Sequence, residues 1–239
     1  MKVDLFIPCF IDQLYPKTAW NVVKILESLD LSVNYNPEQT CCGQPSFNSG
    51  YWKDARKLAE KFIKDFPNDN PIVSPSASCA GYIKNSYSKL FEDDLKMLNE
   101  CERLTNNVFE LTDFLVNKLG KSNFGASFPH KVTYHDSCSA LRDYKIKEEP
   151  RKLLDNVKGL ELIEMADTDV CCGFGGTFMV KYVPISTAMV SQKVENALKT
   201  GAEYIVSADA SCLLNYQSYI DKQNLPIKTI HLADVISNF

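Results

Sequence analysis

Short apolar runs alternate with longer amphipathic segments along the whole chain. Residues 18–29 and 51–66 carry apolar side chains every three or four positions, which predicts helices. The apolar runs that predict strands are residues 3–8, 32–35, 71–74, 132–135, 161–164 and 204–207. Strands that alternate with helices are typical of parallel sheets. The pattern therefore predicts an α/β protein with a small open parallel sheet, flanked by helices, in each half of the chain.

The two halves repeat each other in their cysteines. Each half has a cysteine after its first predicted strand, then Cys-Cys-Gly, then Val-Ser-x-x-Ala-Ser-Cys. The repeated cysteines are Cys9, Cys41, Cys42 and Cys79 in the first half, and Cys138, Cys171, Cys172 and Cys212 in the second. Cys101 has no counterpart; it lies in residues 91–116, a polar stretch that we predict to be helical, and we assign it no role. We expect two pseudo-symmetric repeats, residues 1–125 and 126–239, joined within the Gly-, Ser- and Asn-containing stretch 120–129.

The repeated cysteines have the chemistry and the placement of a metal site. Each follows a predicted strand and precedes a predicted helix, so we expect all of them at the carboxyl edges of the sheets. Nine cysteines cannot all pair within one chain, and adjacent cysteines, with Cα atoms about 3.8 Å apart, make strained disulfides. Thiolates select zinc or iron–sulfur clusters. The long gaps differ from the Cys-x-x-Cys pairs of zinc fingers, so we expect an iron–sulfur centre, with zinc or metal-free thiols as alternatives.

Composition excludes several other classes of protein. The net charge is −4 and the 26 basic residues are scattered, which argues against a nucleic-acid binder. No apolar run approaches the roughly 18–20 residues of a transmembrane segment. The first residues lack the apolar region and cleavage site of a secretory signal, so we expect a cytoplasmic protein.

The doubled pattern resembles the CCG cysteine-rich domain, which occurs in one of the subunits of heterodisulfide reductase and in the iron–sulfur subunit of glycolate oxidase. Longer sequence motifs give a more specific resemblance, nearly end to end, to the lactate utilisation protein A family. These motifs are Cys41-Cys42-Gly43-Gln44-Pro45, Asn48-Ser49-Gly50-Tyr51, Val73-Ser74-Pro75-Ser76, Glu110-Leu111-Thr112-Asp113-Phe114 and Cys171-Cys172-Gly173-Phe174-Gly175-Gly176-Thr177-Phe178.

The resemblance implies an iron–sulfur electron-transfer subunit of a multi-protein system that oxidises L-lactate to pyruvate. It implies two partner proteins, a ferredoxin-like iron–sulfur subunit and a smaller subunit, and one or two clusters of 4Fe–4S type held by the eight repeated cysteines. No flavin or nicotinamide motif stands out and no catalytic residue is identified, so we expect the partners to complete the reaction. The alternatives are a glycolate oxidase-type subunit, a heterodisulfide-reductase-like thiol/disulfide redox protein and a zinc-stabilised scaffold.

Two features depart from a simple symmetric site. The fullest CCG pattern ends each half in Cys-x-x-Cys, but Tyr82 and Asn215 stand at those last positions. This leaves four cysteines per half, and a centre in one half or in both stays open. His135 precedes Cys138 by three residues, where the first half has Phe6. We therefore expect His135 to be packed or hydrogen-bonded rather than a required ligand.

Overall fold

Two four-stranded parallel sheets organise the computed structural model, which describes residues 1–239. The strands are β1 (Lys2–Leu5), β2 (Ser32–Tyr35), β3 (Ile72–Ser74), β4 (Val108–Glu110), β5 (Lys131–Tyr134), β6 (Glu161–Leu162), β7 (Tyr204–Ser207) and β8 (Lys228–His231). The strand orders are β2-β1-β3-β4 and β6-β5-β7-β8. Corresponding strands occupy corresponding places, so the predicted fold of two repeated parallel sheets is confirmed. We call the two repeats the first and second lobes.

Helices connect the strands of both sheets. They are α1 (Cys9–Leu14), α2 (Pro16–Glu27), α3 (Gln44–Asn48), α4 (Trp52–Asp65), α5 (Ala77–Ser86), α6 (Leu95–Asn107), α7 (Leu111–Asp113), α8 (Glu148–Leu154), α9 (Phe178–Lys181), α10 (Val183–Lys199), α11 (Ala210–Gln223) and α12 (Leu232–Ile236). A 3-10 turn (Ser88–Leu90) and two π-helical segments (Phe114–Lys118 and Ser139–Tyr144) complete the secondary structure. No helix combines the length and the apolar character that crossing a bilayer requires.

Apolar residues recur every three or four positions along α4, which places them on one face of the helix, and that face is buried. Ala55, Ala59, Phe62 and Ile63 lie on one side of this helix and are almost fully buried. Phe62 packs edge-on against Phe6, with ring centroids 4.8 Å apart. The helix bounds agree with the predicted segment 51–66 to within a residue at each end.

The fourth strand of each sheet was not expected. Residues 91–116 read as one helical stretch, but α6 ends at Asn107 and β4 follows immediately. Ile72, Val73 and Ser74 of β3 pair in parallel with Val108, Phe109 and Glu110. A three-residue edge strand is too short to show a periodicity, so pairing with β3 decides its conformation. The strand β8 pairs with β7 in the same way.

One hydrophobic core extends across both lobes. Val3, Leu5 and Ile25 from the first lobe join Val132 and Leu232 from the second in a single buried cluster. Each lobe also has its own core on the other side of its sheet. The division at residues 125 and 126 stays a prediction.

The lobes are also joined by polar contacts between helices. On α2, the Thr18 hydroxyl and the Asn21 amide both donate hydrogen bonds, 2.8 Å long, to the carboxylate of Asp234 on α12. The two sheets therefore have a fixed relation to each other.

Candidate metal centre

All eight repeated cysteines line one cavity of about 420 Å³, which lies where the strands of both sheets end. Phe10, next to Cys9, meets Phe174 of the second lobe edge-to-face across this cavity, with ring centroids 5.5 Å apart. Cys101 is fully buried in the core of the first lobe and does not line the cavity. The sequence pattern thus separates the eight cysteines at the cavity from the ninth, while their role as ligands stays a prediction.

In the first lobe, short structural elements bring four remote thiols together. Cys9 begins α1, directly after Pro8. Cys79 lies in the first turn of α5, and its Sγ is 3.4 Å from the Sγ of Cys42. The thiols adjoin one another in the order Cys9, Cys41, Cys42, Cys79.

The second lobe repeats this arrangement. Cys138 precedes a π-helical segment, and Cys212 lies in the first turn of α11. Its thiols adjoin one another in the corresponding order, Cys138, Cys171, Cys172, Cys212. Each lobe therefore presents a group of four adjoining sulfur atoms.

The glycine after each cysteine pair directs a backbone N–H at a sulfur. Gly43 N–H donates to Cys41 Sγ, and Gly173 N–H donates to Cys171 Sγ, both at 3.4 Å. The φ angles of these glycines are +93° and +86°, in the left-handed region that side chains avoid. The Cys-Cys-Gly motif thus supplies two ligand candidates and a hydrogen-bond donor to the first of them.

The thiols of each group share their protons unequally. Hydrogen bonds from Cys42 and Cys9 lower the pKa of Cys41 to about 3. Hydrogen bonds from Cys138 and Cys172 lower the pKa of Cys171 to about 2. The same contacts, together with burial, raise the pKa of these four donors. One sulfur per lobe therefore holds the thiolate form, and a metal would displace protons from its neighbours.

Tyr82 and Asn215, which stand where the fullest CCG pattern has a fifth cysteine, make different contacts in the two lobes. Asn215 is buried, and its side-chain amide donates a 2.8 Å hydrogen bond to the Cys172 carbonyl. Tyr82 is buried too, and its hydroxyl has no hydrogen-bond partner. Burial raises the pKa of Tyr82, which keeps the phenol neutral. Neither side chain offers a thiolate, so the repeated donor set is four sulfurs per lobe.

His135 lies at the sulfur group of the second lobe, which the comparison with Phe6 did not predict. A ring nitrogen of His135 and the Sγ atoms of Cys172 and Cys212 all lie within 4.8 Å of one another. The ring is fully buried, packs edge-on against Tyr216 and makes no hydrogen bond. Burial lowers its pKa to about 3, assisted by Lys193 and opposed by Cys171 and the Thr168 backbone. The His-x-x-Cys spacing was the available signal.

Asp209 joins the two sulfur groups and was also missed. It caps the N-terminus of α11, where the first lobe has Ser76, and it is 2% exposed. Its Oδ2 accepts hydrogen bonds from Ser78 N at 3.1 Å and from the Ser137 hydroxyl at 3.4 Å. Ser78 and Ser137 each precede a repeated cysteine of a different lobe, so this carboxylate fixes the separation of the two groups.

The donor set of each lobe fits a soft metal centre. Four sulfur ligands match tetrahedral zinc or one iron–sulfur cluster, whereas hard cations require oxygen ligands. The paired thiols approach each other as closely as 3.4 Å, and helix N-termini beside Cys9 and Cys79 favour negative charge.

Comparisons with known proteins agree with this arrangement. Residues 3–84 and 132–217 each match the CCG cysteine-rich domain. The chain is 42% identical over 238 residues to lactate utilization protein A of Geobacillus thermodenitrificans, covering 100% of this chain and 99% of the relative. It is 41% identical to lactate utilization protein A of Bacillus subtilis, over 100% of both chains.

A solved structure supports the fold alone. A hypothetical protein from Helicobacter pylori superposes with a TM-score of 0.61 at 10% identity, and the match covers 98% of this chain and 48% of that one.

Proposed function

This chain belongs to the lactate utilization protein A family of CCG cysteine-rich proteins, and from this premise we propose that it is an iron–sulfur electron-transfer subunit in the oxidation of L-lactate to pyruvate. The observation that carries the proposal is the placement of two four-thiol groups on one cavity. A cluster bound there supplies one-electron transfer. We propose clusters of 4Fe–4S type, one or two per chain, with zinc as the alternative metal.

The chain's own residues would set the properties of each centre. The repeated cysteines would hold the metal, four from each lobe. Hydrogen bonds to sulfur and limited solvent access tune the reduction potential of such centres. Here the N–H groups of Gly43 and Gly173 are aimed at sulfur, and Cys42 and Cys172 are each 2% exposed. Asp209 would keep the two centres at a constant separation through its contacts to both lobes.

The balance of the reaction requires partner proteins. Conversion of lactate to pyruvate releases two electrons and two protons, while a cluster accepts electrons singly. The sequence shows no flavin or nicotinamide motif. We therefore propose that a ferredoxin-like iron–sulfur subunit and a smaller subunit provide the remaining steps. The reducing cytoplasm would keep the thiols available for metal.

Metal analysis tests the proposal directly. Protein purified without oxygen should be brown and should contain iron and acid-labile sulfide in equal amounts. Cys41→Ser and Cys171→Ser should each lower this content, while Cys101→Ser should leave it unchanged, because Cys101 does not line the cavity. A colourless protein with stoichiometric zinc would contradict the electron-transfer role and support that of a zinc-stabilised scaffold.

Activity separates the remaining functions. With both partner proteins present, L-lactate should reduce an electron acceptor, and the Cys41→Ser/Cys171→Ser double variant should abolish that reduction. Preferential reduction with glycolate would assign the chain to a different hydroxy acid. Disulfide turnover by the isolated chain, without lactate-dependent reduction, would assign it to thiol–disulfide chemistry.

A further inference from the structure

We infer that the two metal centres differ in their ligands, with His135 as a nitrogen donor in the second lobe and sulfur donors alone in the first. This inference rests on the proposed metal centres and adds a residue to one of them. Its basis is the group of His135, Cys172 and Cys212, whose ligand atoms lie within 4.8 Å of one another and whose side chains are all buried.

Hydrogen bonds of regular geometry do not account for the burial of His135. The residue is 0% exposed, and neither ring nitrogen has a partner of that geometry, although the Thr168 backbone lies near the ring. A buried polar atom without a partner destabilises the folded state, and native proteins rarely retain one without a function. A metal ion shared with the neighbouring thiols would give one of these nitrogens its missing partner.

The position of the His135 ring is fixed from several sides. Its backbone N–H donates to the Val206 carbonyl at 2.9 Å, and its own carbonyl accepts from the Ser207 hydroxyl at 3.1 Å. The Tyr216 ring packs against it at a centroid distance of 5.1 Å. A ring held in this way is positioned before a metal arrives, which lowers the conformational cost of binding.

The first lobe cannot provide an equivalent nitrogen. Phe6 occupies the matching position and is fully buried against Phe62 and Phe66, with centroid distances of 4.8 and 6.2 Å. The fifth cysteine position of the first lobe does not compensate, because Tyr82 is a buried phenol that has no nitrogen to offer. His135 therefore lies beside the second sulfur group, just after the end of β5. In the first lobe, Phe6 occupies the corresponding position and offers no donor atom.

The difference in ligands has a consequence for electron transfer. Where the neutral imidazole takes the place of one of the four thiolates it leaves less negative charge on iron, and replacement of cysteine by histidine raises the potential of iron–sulfur centres. The second-lobe centre should therefore have the higher reduction potential of the two, and an electron shared between the lobes should reside there.

Zinc alone is a suitable probe, because Zn–S distances are about 2.3 Å and Zn–N distances about 2.0–2.1 Å. A Cys42→Ser/Cys79→Ser chain would keep the second sulfur group intact, and a Cys172→Ser/Cys212→Ser chain would keep the first while losing both thiols beside His135. Each full-length variant is loaded with Zn²⁺ without oxygen and examined by X-ray absorption. We expect a nitrogen neighbour only in the chain that keeps the second group. This measurement retains His135 and does not depend on how its variants fold.

Substitution of the ring then identifies the nitrogen. In the chain that keeps the second group, His135→Phe copies the first-lobe residue and should remove the nitrogen signal and weaken zinc binding at least about tenfold. His130→Phe is the matched control, since His130 is paired with Glu203 at 2.9 Å on the surface and should change neither quantity. A sulfur-only second centre would overturn the inference and leave the proposed function standing. Failure of both groups to bind zinc or iron would overturn the proposed function itself.

Discussion

The side-chain amide of Asn215 donates a hydrogen bond to the backbone carbonyl of Cys172 at a distance of 2.8 Å. In the first lobe, the hydroxyl of Tyr87 donates to the carbonyl of Cys42 at 2.7 Å. Both carbonyls belong to the second cysteine of a Cys-Cys-Gly motif. Residues of different chemistry, at positions that do not correspond in the repeat, thus support the same point of each loop.

Asn215→Ala should destabilise the second loop because it removes the side-chain donor to a buried carbonyl. We expect a loss of about 1–3 kcal/mol in the free energy of unfolding and faster release of metal from the second lobe. Tyr87→Phe should produce the corresponding effects in the first lobe. Urea denaturation measures the stability, and chelator-induced metal loss from chains that keep one sulfur group measures the release. Equal release rates in wild type and Asn215→Ala would show that this hydrogen bond does not support the metal loop.

Arg151→Met should destabilise the segment that carries His135 and Cys138. Arg151 makes two hydrogen bonds, 2.8 and 2.9 Å long, to the carboxylate of Asp136, whose side chain is 2% exposed. Removing one partner of a buried ion pair leaves the other charge uncompensated, at a cost of about 3–5 kcal/mol. Thermal or urea unfolding would measure the change.

The control for this change is Lys57→Met. Lys57 pairs with Asp54 on the surface, where both side chains are mostly exposed, and such pairs contribute about 0–1 kcal/mol. Similar losses of stability in the two variants would show that the buried Arg151–Asp136 pair contributes no more than an exposed pair.

The sequence was sufficient to predict the repeated parallel sheets and the gathering of the cysteines. The reason is geometric, because strands that run in parallel end at the same edge and bring the residues after them together. It was not sufficient for β4, where pairing with β3 overrides a helical pattern in residues 91–116. Short edge strands depend on such long-range pairing more than on their own residues.

The parts of the site that sequence reasoning missed depend on orientation and burial. Comparison with Phe6 did not predict that His135 lies beside Cys172 and Cys212, because symmetry of position does not determine which side chains face the sulfurs. Asn215 and Tyr87 are equivalent only in the carbonyls that they contact. The contact of Asp209 with Ser78 of the other lobe could not be predicted either, because it depends on how the two lobes pack together.

Gly173→Ala should be more destabilising than Gly176→Ala, although both glycines have positive φ angles, of +86° and +62°. A side chain in this region costs about 1–2 kcal/mol, which applies to both variants. A Cβ at Gly173 would also lie 2.8 Å from the Ser186 carbonyl oxygen, whereas nothing lies within 4 Å of a Cβ at Gly176. Unfolding measurements should show an additional loss of about 1–3 kcal/mol for Gly173→Ala, as for other overpacked sites. Equal losses would mean that α10 shifts freely away from the motif.

Glu110→Gln should remove part of the pH dependence of stability. Glu110 caps α7, and its Oε2 accepts hydrogen bonds from Thr112 N at 2.7 Å and Asp113 N at 3.2 Å, while its Oε1 has no partner. Burial raises the pKa of Glu110 to about 8, although the hydrogen bonds from Thr112 and Asp113 oppose the shift. The folded protein therefore retains a proton that the unfolded chain releases above about pH 4.3.

It follows that the stability contributed by protonated Glu110 is fully present below about pH 4.3 and declines as the pH rises to about 8. From pH 5 to pH 8 the wild-type free energy of unfolding should fall relative to Glu110→Gln, by on the order of 4 kcal/mol. Urea denaturation at intervals of one pH unit measures both proteins, and Glu92→Gln, at an exposed glutamate, should retain the wild-type slope. Parallel pH profiles for wild type and Glu110→Gln would show that the buried carboxyl is already ionised across this range.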